Sequence, residues 1–128
     1  MPVPSPDQLA QVVACLRRSG ARFAFVHGSA AGPAAPARPP RDIDVAGWWG
    51  GGPPAAFEVH LPDGVDLLVL DAAPLELAGR IALHGRLLFD DGPPARVAWQ
   101  ARTRLVFLDE QDRQSALDRV FLTARRGG

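Results

Sequence analysis

Three short apolar runs between residues 22 and 70 constrain this chain more than anything else in it. They are Arg22-Phe-Ala-Phe-Val-His27, Asp42-Ile-Asp-Val-Ala46 and Val65-Asp-Leu-Leu-Val-Leu70. Each is too short to be a helix that buries a face, and each is flanked by glycine or proline, so each reads as a strand. In the second run Asp42 and Asp44 alternate with Ile43 and Val45. Alternate residues of a strand share a face, so both carboxylates point one way and both aliphatics point into the core.

The flanks of these runs read as helices and one further strand. Ser5-Pro6-Asp7 is a helix start, with serine at the N-cap and proline at the first helical position. Leu9, Val12, Val13 and Leu16 follow at helical spacing, and Gly20 ends the element. Pro74 opens a second helix that runs to about Leu83, closed by His84-Gly85. Arg86-Leu-Leu-Phe89 is a short strand, and Asp90-Asp91-Gly-Pro-Pro is a turn and helix cap. Residues 95–125 carry helical periodicity, with a break expected near Asp109 to Asp112. The Gly, Pro and Ala-rich stretch 28–41 is a loop within the domain, with at most a turn of helix after Ser29; Ala55 to His60 fits a short helix or an extended segment. The order is helix, strand, strand, strand, helix, strand, helix, with no internal repeat and no linker, and 128 residues suit one domain.

Composition narrows the function classes. The 14 basic and 14 acidic residues balance, which disfavours a general nucleic-acid binder. All the basic residues are Arg, and Lys, Tyr and Asn are absent, a pattern of a GC-rich genome. Any tyrosine modified by this protein therefore belongs to another chain. The single Cys15 permits no internal disulfide and reads as a buried structural thiol, consistent with a reducing compartment. The segment MPVPSPDQ lacks the features of a signal peptide, and no apolar run approaches the ~20 residues that span a bilayer. A cytoplasmic location, away from membranes, is the expectation.

The carboxylates carry the chemistry. An ionised Asp on an apolar strand is costly to bury unless it is paired or binds a metal. Asp42 and Asp44 on one face repel each other, and a hard divalent ion with oxygen ligands relieves that; Mg²⁺ takes one or two carboxylates plus phosphate oxygens. Asp66, the one charge in its strand, is placed to complete such a site, and the set suits in-line phosphoryl chemistry. Gly28-Ser29 follows a strand directly, where an open backbone and exposed N–H groups bind anions. Each part alone has an ordinary reading as a turn, a cap or a solvated edge; the conjunction is far more specific.

Other residues read as packing or surface. His27 is expected to be packed or hydrogen-bonded, and His60 and His84 to be surface or turn residues without metal-like spacing. Trp48, Trp49 and Trp99 suit core or rim packing, an adenine stack or a contact surface, and one of the adjacent pair Trp48 and Trp49 is expected to be exposed. The arginines of the last helix, Arg102, Arg104, Arg113, Arg119, Arg125 and Arg126, form a solvated face or dock an acidic partner.

The string Phe25-Val-His-Gly-Ser29, followed by Asp42-Ile-Asp-Val-Ala46 and Val65-Asp-Leu-Leu-Val-Leu70, resembles the DNA polymerase beta superfamily of nucleotidyltransferases, and its minimal branch, the MNT proteins, most of all. The likeness runs from about Leu16 to Phe89, and Gly79-Arg-Ile-Ala-Leu-His-Gly-Arg-Leu-Leu-Phe-Asp90 looks like the tail of MNT domains. The resemblance implies an α/β (α+β) nucleotidyltransferase fold: a mixed sheet of about four strands with flanking helices, a core over about 16–90 and a long helical tail over about 94–126. It implies that Gly28 and Ser29 hold the triphosphate of ATP, that Asp42, Asp44 and Asp66 hold Mg²⁺, and that Asp66 is also the base toward the acceptor hydroxyl. It further implies an antitoxin that moves AMP onto a tyrosine of a partner HEPN-domain ribonuclease toxin, in a hetero-oligomer. A catalytically weak antitoxin acting by occlusion and a small-molecule (antibiotic) nucleotidyltransferase are the alternatives. The chain departs from the pattern at Ala30, where the family often has Arg, at Arg41, where a Ser commonly precedes the first Asp, and in the Gly/Pro-rich 50–63, where a fuller helix is usual.

Overall fold

The computed structural model describes residues 5–28 and 43–127, with side chains described to residue 123. The elements follow the predicted order: α1 (Pro6–Arg18), β1 (Phe23–His27), β2 (Ile43–Trp48), β3 (Val65–Val69), α2 (Leu75–His84), β4 (Arg86–Asp90) and α3 (Pro93–Gly127). The strands form one mixed sheet in the order β3-β2-β1-β4. β1 pairs antiparallel with both β2 and β4, and β2 pairs parallel with β3. A parallel pair needs a long connection. Residues 49–64 supply it, with only a 3₁₀ turn at Ala56–Glu58, so the ambiguous 55–60 segment resolves as that turn.

Local chemistry sets the element ends. Ser5 and Gln8 form a reciprocal capping box: the Gln8 N–H donates to Ser5 Oγ at 3.1 Å, and the Ser5 N–H donates to Gln8 Oε1 at 3.0 Å. At the far end of β2, Asp71 accepts the Trp49 and Gly50 N–H groups at 3.0 and 2.7 Å, tying the strand end to the turn that follows β3. The C-terminal carbonyl of α2 at Ala82 accepts from Gln100 at 3.1 Å and from Arg104 at 2.6 Å, so α3 satisfies part of that helix end. Arg104 thus has a structural duty that a solvated face does not provide.

Both faces of the sheet are covered. α1 packs on one through Val12 and Leu16 against Ala24, Val26 and Val45. The other carries Phe23, Phe25, Ala46, Leu70 and Ile81 with Trp48 and Trp99 beside them. Each fully buried aliphatic contributes roughly 1.5–3 kcal/mol. α2 and α3 approach so closely that a Cβ at Gly79 would run into the Phe107 ring.

Three expectations are corrected. Neither Trp48 nor Trp49 is left out in solvent: Trp49 packs on the α1 side and donates from Nε1 to the Ser19 carbonyl at 3.0 Å. Trp48 points to the opposite face and stacks on Phe23 with ring centroids 5.0 Å apart. Adjacent residues on a strand do face apart, but here both sides are covered. α3 runs without a break through Asp109 to Asp112. Charge alone does not end a helix lacking Gly and Pro, and Arg113 bridges to Glu110 one turn back at 3.0 Å. Cys15 is half-buried, with Arg18 donating to its Sγ at 3.6 Å.

Candidate functional site

Strand periodicity and register bring the functional side chains to one end of one face. His27 is two residues beyond Phe25 on β1, Asp44 two before Ala46 on β2, and Asp66 two before Leu68 on β3, so all three share the face covered by α2 and α3. In the register, His27 lies opposite Asp44 and Asp44 lies opposite Asp66. The result is a row, His27–Asp44–Asp66, crossing three strands at their ends. Neighbouring strands stand about 4.8 Å apart. Like charges directly opposite repel at that spacing, which makes the two carboxylates a natural seat for a cation.

The burial argument holds only in part. Asp44 is half-buried, but Asp66, at the start of the edge strand β3, is exposed. Asp66 is thus open to incoming ligands, and Asp44 less so.

Gly28 adjoins this row, and its identity is dictated twice. Its φ is +69°, a conformation that costs other residues ~1–2 kcal/mol. A Cβ there would also lie 2.6 Å from Asp44 Oδ2. Only glycine lets the carboxylate lie against the backbone at the end of β1. Burial pushes the His27 imidazole below its ordinary pKa, against the pull of the Asp44 charge and a hydrogen bond to the Val45 backbone. His27 is thus a half-buried neighbour of Asp44.

The structure brings together Gly28, Asp44 and Asp66 of the predicted site. Ser29 and Asp42, with Ala30, Arg38 and Arg41, lie outside the described residues. Among the described residues no group of three His, Cys, Asp or Glu side chains stands ready to hold a metal; they supply two carboxylates. Two hard oxygen donors in register, beside a backbone stripped of side chain, fit a divalent ion that completes its shell with phosphate oxygens and water.

A cavity of about 360 Å³, lined in part by Gly28, opens between the end of β1 and α2. His27, Leu77, Arg80, Ile81 and His84 contribute to its wall. The sequence pattern assigns Arg80 no role, and His84, expected to be a surface or turn residue, is exposed at the end of α2. The available signal was their i, i+4 spacing on α2, which places both on one side of the helix. No helix among the described residues is long and apolar enough to cross a membrane.

No protein-family model and no curated protein matches the chain in sequence. Solved structures do. A chain from a crystal structure of the toxin–antitoxin pair MntA–HepT superposes with a TM-score of 0.68 at 19% identity, covering 91% of this chain and 99% of that one. A toxin–antitoxin structure with AMP-PNP gives 0.69 at 21% identity, over 88% and 98%. A third, a tri-AMPylated HEPN toxin from Shewanella oneidensis in complex with its MNT antitoxin, gives 0.66 at 19% identity, over 89% and 96%. This likeness shows the fold: a four-stranded mixed sheet with a long C-terminal helix, the nucleotidyltransferase fold.

Proposed function

We propose that this chain is an antitoxin of the MNT type, a Mg²⁺-dependent enzyme that transfers AMP from ATP to a tyrosine hydroxyl of a HEPN-type ribonuclease toxin. The observation that carries the reading is the register pair Asp44 and Asp66 beside Gly28, at the end of a nucleotidyltransferase sheet. The similar structures support the donor and the partner. One contains AMP-PNP and another an AMPylated HEPN toxin. A further MntA–HepT structure has two aspartates, two positions apart, replaced by glutamate, the same spacing as Asp42 and Asp44 here.

In this reading Asp42, Asp44 and Asp66 hold Mg²⁺. Bound there, the ion would supply positive charge to offset that of the phosphates. Gly28 and Ser29 present backbone N–H groups and a hydroxyl to the triphosphate. Asp66, exposed on the edge strand, takes the proton of the tyrosine hydroxyl as the tyrosine oxygen bonds to the α-phosphorus. The bond from that phosphorus to the β-phosphate oxygen breaks, and pyrophosphate leaves.

The test is transfer of label from α-labelled ATP to the co-purified toxin, read by mass spectrometry. The wild-type chain should add AMP to tyrosine, and Asp42→Ala with Asp44→Ala, or EDTA, should abolish the addition. Full transfer by the double variant would overturn the metal site. A double variant that transfers nothing, yet blocks the toxin at equal dose, would replace catalysis by occlusion.

A further inference from the structure

The cavity beside α2 adjoins the carboxylate row through His27 and Gly28, which line it. The sheet order runs β3, β2, β1, so Asp66, Asp44 and then Gly28 lie in sequence across the sheet, and Gly28 also lines the cavity. In-line displacement places the attacking and leaving oxygens on opposite sides of the phosphorus. If the acceptor comes in beside Asp66, the leaving group departs toward Gly28 and the cavity. Arg80 is the permanent cation among the described residues of that cavity's wall. Its Nη2 donates to Glu76 Oε1 at 2.9 Å, which uses one of five N–H donors. That ion pair is exposed and holds Arg80 only weakly in place.

We propose that the cavity between β1 and α2 receives the polyphosphate end of the donor nucleotide, and that Arg80 is its cationic contact, stabilising the charge that develops on departing pyrophosphate. The inference rests on the transferase reading above. It identifies a binding residue on α2, outside the glycine and carboxylate motifs. Arginine suits the task because its planar fork meets two phosphate oxygens at once. His84, one turn further along α2, flanks the same volume.

The test is equilibrium binding of ATP, pyrophosphate and adenosine to the full chain in Mg²⁺, by calorimetry. Arg80→Ala should weaken ATP and pyrophosphate roughly tenfold or more and leave adenosine unchanged. Arg80→Lys should recover part of the loss, and Glu76→Ala, which frees the guanidinium, should leave ATP binding as tight or tighter. Unchanged ATP affinity in Arg80→Ala would overturn the assignment while the transferase reading stands. An equal loss for adenosine would overturn it too, assigning the cavity to the nucleoside. Failure of the unaltered chain to bind ATP at all would remove this inference together with the function it rests on. Arg80 is largely exposed, so an unchanged melting temperature should accompany every variant.

Discussion

The two faces of the sheet obey the same alternation and end differently. On the α1 face, Ala24, Val26 and Val45 meet Val12 and Leu16 without a polar group among them. On the other face the pattern begins equally dry, with Phe23 and Phe25 against Trp48 and Trp99 at centroid distances of 5.0 to 5.8 Å. Two residues further along each strand it turns polar, at His27, Asp44 and Asp66. One face is therefore all stability. The other spends its aromatic half on stability and exposes its carboxylate end to ligands, so the two properties separate along a single strand.

Substitutions break that separation or sharpen it. The largest effect expected is on the dry face: Leu16→Ala should cost ~2–5 kcal/mol of unfolding free energy in denaturant titration, with activity per folded molecule unchanged. Asp44→Ala should do the reverse. Transfer should fall by ~10²–10³-fold or more while stability changes far less than in Leu16→Ala. Loss of stability comparable to Leu16→Ala would mean that Asp44 is part of the core. Gly28→Ala should touch both properties: ~1–2 kcal/mol from the positive φ, and weaker Mg²⁺ binding because the added methyl displaces the Asp44 carboxylate.

The smallest effect is expected at the rim of the α1 face. Arg17 donates to both oxygens of Asp91 at 2.7 and 2.8 Å, and this holds the Asp91 carboxyl below its ordinary pKa. A depressed carboxylate contributes stability that is full above its unfolded pKa and lost as pH falls through the folded one. The wild-type melting temperature should therefore dip in acid, below about pH 4, more than that of Asp91→Asn, whose curve lacks this component. Both groups are exposed, so the difference should be smaller than any above, and it should shrink further in high salt.

Much of this was legible in the sequence because it rests on local rules. The Ser5 cap, the strand at residues 23–27 and the helix opened after Pro74 depend on neighbours within a turn or on period-two alternation. The parts that were misread depend on what lies across space. Whether Trp48 is exposed depends on a ring of Phe23 that reaches it only through strand pairing. Whether Asp66 is buried depends on β3 being an edge. Arg80 and His84 share one side of α2 by their i, i+4 spacing, but only the cavity they both line sets that side apart from any other exposed helix face.

By itself, then, the sequence determined which segments are strands and helices, which strand residues share a face, and that carboxylates and a glycine turn stand out among them. Those properties follow from side-chain periodicity and backbone conformational limits, which act over a few residues. Tertiary structure alone decided that β2 and β3 run parallel in the register that sets Asp44 beside Asp66, that Gly28 must be glycine because Asp44 Oδ2 occupies the space of a side chain, and that α2 closes a cavity beside both. Each of these depends on the distance between atoms far apart in the chain, and packing, not periodicity, sets that distance.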